Sequence, residues 1–289
     1  MSMTGSVRVR TAEGQSILVT WWDRYKESLT KWVLIAVVIA YVAFLILTPI
    51  TALAFGALER GLGESLNSLN HPDVLTAFWN TLWISLIVVT IHAIFGTLVA
   101  WVFVRHRFPG RDLISGLVDM PFAVSPVVAG YMLLLLFGRN GLLATVVESL
   151  GIQIAFAMPG IVLASLFVTL PFMIRELVPV LEAFDTRQEQ AAATLGANGW
   201  QTFWRVTFPA LRWGLIYGIT LTFARALGEF GAVLVIGGGV QGRTETATLF
   251  IYRALDERQY IGAYTASLAL GLFSLILVLG SDWLRSRKH

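Results

Sequence analysis

Long apolar stretches alternate with short polar connections along most of this sequence. Each of six windows contains about 20 or more largely apolar residues, the length that an α-helix needs to cross a bilayer. Lipid offers backbone N–H and C=O groups no partners, and the windows lack the alternation of barrel strands, so we expect helices. The pattern therefore predicts an all-α, polytopic transmembrane helical bundle. Its six spans are predicted at residues 32–55, 78–104, 113–138, 159–181, 213–237 and 260–284.

Basic residues in the polar connections predict the orientation of the spans. Because short cytoplasmic segments carry an excess of Lys and Arg, both termini are expected in the cytoplasm. Residues 32–284 would form one transmembrane domain that includes a cytoplasmic loop at 182–212. In the first segment, the apolar spacing from Ile17 to Leu29 is typical of an interfacial helix. Fourteen of the 21 basic residues lie in segments 1–31, 105–112, 182–212 and 285–289.

Composition supports a membrane protein and excludes several chemistries. The 289 residues are 56% hydrophobic and 13% charged, whereas about a quarter of residues are charged in soluble domains. The basic residues form short clusters, which does not favour a nucleic-acid surface. Without cysteine, the chain can have no disulfide, thiolate zinc site or cysteine nucleophile. Its four histidines lie in separate segments without metal-ligand spacing, so we expect no metal or cofactor in this chain.

Prolines predict irregular helices in two of the windows. The third window contains Pro121 and Pro126 within MPFAVSPVVAG, where we expect a kink or break. Pro171 and Pro179 raise the same expectation for the fourth window. Such bends serve either local packing or a transport path, and the pattern leaves both open.

A few charged residues lie inside predicted spans. Arg225 and Glu229 are four residues apart, so they share a helix face near the middle of the membrane. They can form an ion pair that fixes the register of the fifth span, or Arg225 can contact an anion in a translocation path. Arg175 lies about two turns from the cytoplasmic end of its span, where snorkelling to the interface is expected, and Asp119 has a similar explanation.

The polar segment 185–211 is too polar to span a membrane and too long for a plain turn. Thr186 and Glu189 have the spacing of a capping box that starts a helix, and Gly196 would end it in a left-handed conformation. Asn198 and Gln201 repeat the capping spacing. The aromatic residues Trp200, Phe203, Trp204 and Phe208 then follow until Pro209, which we expect to interrupt the second helix.

The two short helices would either dock a partner or pack beneath their own bundle. The segment resembles the coupling loop, or EAA motif, of type I ATP-binding-cassette importer permeases, and this resemblance favours docking. Their pattern is Glu-Ala-Ala, three residues, Gly, nine residues, then an aliphatic, one residue, an aliphatic and Pro. In this chain Gln190 replaces the glutamate, with Glu189 one position earlier, and Phe208 fills the second aliphatic position. The remaining matches are Ala191, Ala192, Gly196, Val206 and Pro209, and the resemblance implies that Glu189, Gln190, Ala191, Ala192, Ala193, Gly196, Phe203 and Pro209 couple to an ATPase.

Four further stretches narrow the resemblance to the W-type permeases of sulfate/thiosulfate importers. Molybdate/tungstate permeases share ARALGEFGA and are the alternative. The resemblance implies a bacterial plasma membrane protein that pairs with a T-type permease and receives a tetrahedral oxyanion from an external binding protein. Since the chain lacks G-x-x-x-x-G-K-[ST], ATP and Mg would bind to a separate ATPase subunit dimer. The stretches are DMPFAVSPVVAG (119–130), FVTLPFMIREL (167–177), FARALGEFGAV (223–233) and GRTET (242–246).

Two other classes of membrane protein fit the pattern less well. An ion-coupled secondary transporter typically has intramembrane carboxylates and internal repeats, but acids are few here and no convincing repeat is visible. A membrane-embedded hydrolase would need a nucleophile with its base, or a metal pair, at membrane depth. We therefore expect a transporter subunit whose own residues gate a path without covalent catalysis.

Overall fold

The computed structural model describes the backbone of residues 7–10, 16–19 and 21–286, and the side chains of residues 29–283. The chain divides into two compact units, Met1–Phe55 and Gly56–His289. The first unit contains strands β1, Val7–Arg10, and β2, Ser16–Val19, and most of helix α1, Trp21–Leu58.

The predicted interfacial helix from Ile17 to Leu29 is wrong in its first part. Ile17 belongs to β2 and pairs with Val9 in an antiparallel register, and α1 begins only at Trp21. β-branched residues favour a strand here, and in β1 they alternate with arginine. From Trp21 the helix continues without interruption into the first predicted span, so the part of the predicted helix from Trp21 to Leu29 belongs to α1.

The second unit is helical in all its secondary structure, which agrees with the predicted all-α class. Its loop segment 187–207 contains α8, α9 and a π-helical turn. The elements after α1 are α2 Leu62–Leu69, α3 Pro72–Arg105, α4 Arg111–Ala123, α5 Pro126–Phe137, α6 Ala144–Ser149, α7 Met158–Ala183, α8 Arg187–Thr194, α9 Gly199–Thr202, the π turn Phe203–Thr207, α10 Phe208–Leu227, α11 Gly231–Gly237, α12 Ala247–Asp256 and α13 Tyr260–Ser286.

Six spans are confirmed if each bent helix pair counts as one crossing. Among the described residues, four helices are long and apolar enough to span a membrane: Leu29–Leu58, Pro72–Arg105, Met158–Ala183 and Tyr260–Trp283. The pair α4 and α5 bends by 113°, and the helix that ends in α10 bends by 58° before α11. These two pairs occupy the third and fifth predicted windows.

The break in the third window lies where the prolines predicted it. Ser125 precedes Pro126 and is extended, with φ −58° and ψ 137°, because the proline ring disfavours a helical residue before it. Pro121 lies inside α4 without ending it. The expected irregularity in the fourth window does not occur as a break, since α7 continues through Pro171 and Pro179.

Helix α7 lies at the centre of the bundle, packed against α3, α4, α5, α10 and α11. Met173 is fully buried where α3, α7 and α10 meet. A Cβ atom added to Gly96 of α3 or Gly218 of α10 would lie 2.8 Å from this side chain. Small residues therefore let these spans approach closely, as is common when lipid supplies no hydrophobic force between helices. The bundle thereby fixes the end of α3 and the start of α10, between which the candidate site lies.

Candidate functional site

The predicted pair of short cytoplasmic helices is present. Helix α8 ends in a turn where the N–H of Ala197 donates to the carbonyl of Ala192 at 3.0 Å, and Gly196 has φ +86°. This backbone geometry favours glycine because it has no Cβ. Asn198 and Gln201 form the predicted capping box, with bonds of 2.9 and 3.0 Å between each side chain and the other residue's backbone N–H. The turn and the second cap are therefore confirmed.

The first predicted cap is wrong. Thr186 is helical, and its side chain makes no capping hydrogen bond. Instead, the Asp185 carboxylate accepts from the backbone N–H of Arg187 at 2.9 Å. The Glu189 side chain points elsewhere, since its Oε1 accepts from Thr207 Oγ1 at 2.7 Å and from Arg105 Nη2 at 3.3 Å. Both partners of the contact with Arg105 are charged, whereas a backbone N–H at a cap is not, so the tertiary contact determines the orientation of Glu189.

The Arg105–Glu189 pair joins the loop to a span. Arg105 is the last residue of α3, and its guanidinium also lies 5.6 Å from the Phe184 ring centroid. The two side chains are only 13% and 21% exposed, so water screens the pair less than it would a surface ion pair. Of the residues predicted to couple to an ATPase, Glu189 is thus directed toward its own bundle. Gln190 is exposed next to it.

Pro209 does not interrupt the second loop helix. Residues Gly199–Leu227 form one continuous helix that includes the π turn. In this turn the N–H of Phe208 donates to the carbonyl of Phe203, five residues earlier, and Pro209 then lies in the first turn of α10. The wider turn accommodates the proline, which has no N–H and would disturb an ordinary helix interior. As a result, the second loop helix extends directly into the fifth span.

The tip of the loop exposes apolar side chains. Leu195 is 88% exposed and Trp200 is 71% exposed, and Ala191 and Ala193 are also exposed. Exposed apolar groups concentrated at one end of a membrane domain are typical of a protein interaction surface. Packing beneath the chain's own bundle would have buried them, so this alternative is not supported. An aromatic cluster with ring centroids 4.8 to 6.5 Å apart supports the tip: Trp200, Phe203, Trp204 and Phe208.

The predicted pairing of Arg225 with Glu229 is confirmed. Arg225 Nη1 lies 2.7 Å from Glu229 Oε2, and the Glu229 side chain is 1% exposed. Glu229 follows the end of α10, and its Oε1 accepts from the N–H of Ala232 in α11 at 3.2 Å. Its backbone carbonyl accepts from Thr248 of α12 at 2.7 Å. These contacts hold the bend between α10 and α11, which favours the structural role of the pair over direct contact with an anion.

Sequence reasoning missed the partner of Arg175. Its Nε donates to Asp119 Oδ1 at 2.6 Å, and its Nη2 donates to Ser115 Oγ at 3.1 Å and also contacts Asp119 Oδ2. Arg175 therefore bridges α7 to α4, a contact that the snorkelling prediction did not include. A signal was present, because Asp119 lies eight residues after the start of α4 and Arg175 eight residues before the end of α7, and the predicted topology puts these two helix ends on the same side of the membrane.

A second missed ion pair orders the segment after α11, which contains GRTET. Arg253 of α12 donates from Nε and Nη2 to the two carboxylate oxygens of Glu245, at 2.7 and 3.1 Å. This bidentate contact raises the pKa of Arg253 above its usual value. The Glu245 side chain is 2% exposed, and the backbone carbonyl of Glu245 accepts from the Asn80 side chain of α3 at 3.0 Å. The charged segment after α11 thus folds against a span.

No group of three or more His, Asp or Glu side chains suited to a metal ion occurs among the described residues. The fold and the site define a class of protein: a polytopic helical permease with a pair of short helices exposed at one end. The chain belongs to the family described as "Binding-protein-dependent transport system inner membrane component", whose model matches residues 92–287.

Similar proteins agree with this family and with the fold. The "Sulfate transport system permease protein CysW" of Synechococcus elongatus is 44% identical over 90% of this chain and 91% of its own length. The "Sulfate transport system permease protein CysT" of Escherichia coli is 36% identical over 86% of this chain and 89% of its own length. A bacterial alginate ABC transporter chain, crystallised with a periplasmic protein bound to alginate pentasaccharide, superimposes with a TM-score of 0.73 at 18% identity. That structure covers 91% of this chain and 97% of its own and shows the fold alone.

Replacing Arg225 should destabilise the protein through its buried partner. In Arg225→Gln, Glu229 becomes an unpaired carboxylate at 1% exposure, and breaking such a pair costs about 3–5 kcal/mol. We expect a lower melting temperature in detergent and reduced transport. The double variant Arg225→Gln/Glu229→Gln should recover most of both, because no isolated charge remains. Arg139→Gln, at an exposed arginine, is the matched control. A stable double variant without transport would instead indicate that an anion contacts Arg225.

Proposed function

We propose that this chain is one permease subunit of an ATP-driven importer for sulfate. The observation that carries the proposal is the exposed loop tip, which extends as one continuous helix into a span. Family membership supports the importer class. Sulfate is supported by the relative named as a sulfate permease, which is 44% identical over nearly the whole chain. Thiosulfate, molybdate and tungstate have the same tetrahedral shape and are the competitors to test.

The site suggests a mechanism of gating. Two ATPase subunits would bind ATP and Mg and receive the loops of two permeases in clefts on their surface. Displacement of the loop would pass along Gly199–Leu227 into the fifth span, and through Arg105–Glu189 into α3. Both routes end in helices packed around α7, so one movement would shift several spans together. The residues of this chain would position and gate, and hydrolysis would take place in the partner.

The remaining partners follow from the family and the relatives. The family description includes a binding protein, which would deliver the anion from outside. Resemblance to both CysW and CysT relatives, closer to the former, supports pairing with a second permease of the T type. We assign the complex to the bacterial plasma membrane, with both termini of this chain in the cytoplasm.

Uptake by the reconstituted complex tests the function. Proteoliposomes containing this chain, the T-type permease and the ATPase should accumulate radiolabelled sulfate when ATP and the binding protein are supplied. Unlabelled sulfate should compete better than molybdate or tungstate. Accumulation without ATP would contradict the importer class, whereas stronger competition by molybdate would contradict only the substrate.

Variants of the loop test the docking role. Gly196→Val strains a residue with φ +86° that has open space around it, and should distort the angle between α8 and α9. Ala191→Asp keeps the turn but introduces a charge into the exposed contact surface. We expect each variant to insert normally and to lose ATPase copurification, or to hydrolyse ATP without uptake.

The matched control for Gly196→Val is Gly110→Val. Gly110 has φ +85° and equally open surroundings, and it also lies in a predicted cytoplasmic connection, before α4. It should therefore carry the same backbone strain without affecting docking. Normal ATPase binding and full uptake by both loop variants would overturn the docking assignment.

Single cysteines test the orientation in this cysteine-free chain. Leu195→Cys, at the loop tip, should react with a membrane-impermeant maleimide only from the cytoplasmic side. Asn67→Cys, on the exposed surface of α2, should react only from outside. The reverse labelling pattern would contradict the predicted topology.

A further inference from the structure

The Arg175–Asp119 pair is more exposed than the other ion pair within the spans. The side chains of Arg175 and Asp119 are 42% and 39% exposed, whereas Glu229 of the other pair is 1% exposed. Both residues lie about 12 Å from the cytoplasmic ends of their helices, which places them inside the membrane. Charged groups at such depth face a bundle interior or a water-filled cavity and not lipid.

Helix α4 has one polar and one apolar face. Asp112, Ser115 and Asp119 recur at three- and four-residue spacing, so they share the face that contacts Arg175. On another face, Leu113 and Leu117 are 71% and 56% exposed. Lipid suits these leucines but not the polar face, which requires water or polar partners.

Helix α7 has the same asymmetry. Met173, Ile174 and Leu177 are fully buried in the core against α3 and α10, while Arg175 projects toward α4. The guanidinium therefore lies where a polar face of α4 and the outward face of α7 meet. This position is partly open, in contrast to the closed environment of Glu229.

We propose that Arg175 and Ser115 bind the transported oxyanion in the cytoplasmic half of the path, and that Asp119 competes with it for the guanidinium. This inference rests on the proposed function. The planar fork of arginine donates to two oxygens of a carboxylate or of a tetrahedral oxyanion in the same way. Ser115 accepts from Arg175 through its oxygen, so its own O–H can donate to an anion. When the anion leaves, Asp119 takes its place on the guanidinium. This competition keeps Arg175 from retaining the anion.

Charged thiol reagents test this site without depending on transport. The assembled complex containing Ser115→Cys is placed in nanodiscs and treated with anionic sulfonatoethyl or cationic trimethylammonioethyl methanethiosulfonate. Both reagents should react. Arg175→Gln should slow the anionic reagent and speed the cationic one by about fivefold each, as expected for one charge about 4 Å away in water, so their rate ratio should fall about 25-fold. Asp119→Asn should raise the ratio, and sulfate should slow the reaction only while Arg175 is present.

Leu117→Cys is the matched control on the apolar face of the same helix. It should react with membrane-permeant N-ethylmaleimide but with neither charged reagent. Gly116→Cys, an exposed position with open space beside Ser115, replaces Ser115→Cys if that variant fails to assemble with the ATPase.

Three results would overturn the proposal. These are a cysteine at 115 or 116 that resists both charged reagents, a rate ratio that Arg175→Gln leaves unchanged, and a Leu117→Cys that reacts equally fast. A charge-dependent ratio in a complex that does not take up sulfate would retain the anion site and reject only the proposed substrate.

Discussion

Every backbone group inside a lipid bilayer must find its hydrogen-bond partner within the protein, and this constraint shapes the bundle. The two bent spans interrupt their helical ladders beside protein contacts, although Ser125 at one break and Gly228 at the other are exposed. Their shorter halves, α5 and α11, pack so closely that a Cβ at Gly130 would lie 2.6 Å from the Ala232 carbonyl. At the second bend, Glu229 accepts from the N–H of Ala232, and Arg225 balances its charge. Irregular backbone is thus tolerated because tertiary contacts satisfy it.

Among the described residues, the ion pairs Arg225–Glu229, Arg105–Glu189 and Arg175–Asp119 differ in exposure, and this difference separates their roles. In the Arg225–Glu229 pair the carboxylate is almost fully buried, and the pair stabilises a bend. Arg105–Glu189 is mostly buried at the membrane edge and attaches the loop to α3. Arg175–Asp119 is half-exposed at membrane depth, where a guanidinium can exchange one anionic partner for another. In the proposed function, the first pair would hold a bend, the second would connect the loop to α3, and the third would supply a cation in the path.

Mechanical continuity between the loop and the bundle depends on the π turn at Phe203–Thr207. If Pro209 ended the helix, a flexible connection would join the loop tip to the span. A movement of the loop would then not reach the span. Instead, the turn changes the hydrogen-bond register by one residue, and the helix continues to Leu227. Thr207, within this turn, also donates to Glu189, which binds Arg105 of α3. The π turn and the Arg105–Glu189 pair therefore form one unit.

The sequence by itself determined the features that depend on near neighbours in the chain. The length of the apolar stretches predicted the six spans, and the four-residue spacing predicted the Arg225–Glu229 pair. Gly196 predicted the turn, and Asn198 with Gln201 predicted the cap. Only the tertiary structure decided that Glu189 binds Arg105, 84 positions away, and that Arg175 binds Asp119, 56 positions away. It also decided the bend of 113°, which follows from how α5 packs on α11. Helical periodicity places a residue on a face, but it does not say which other helix that face meets.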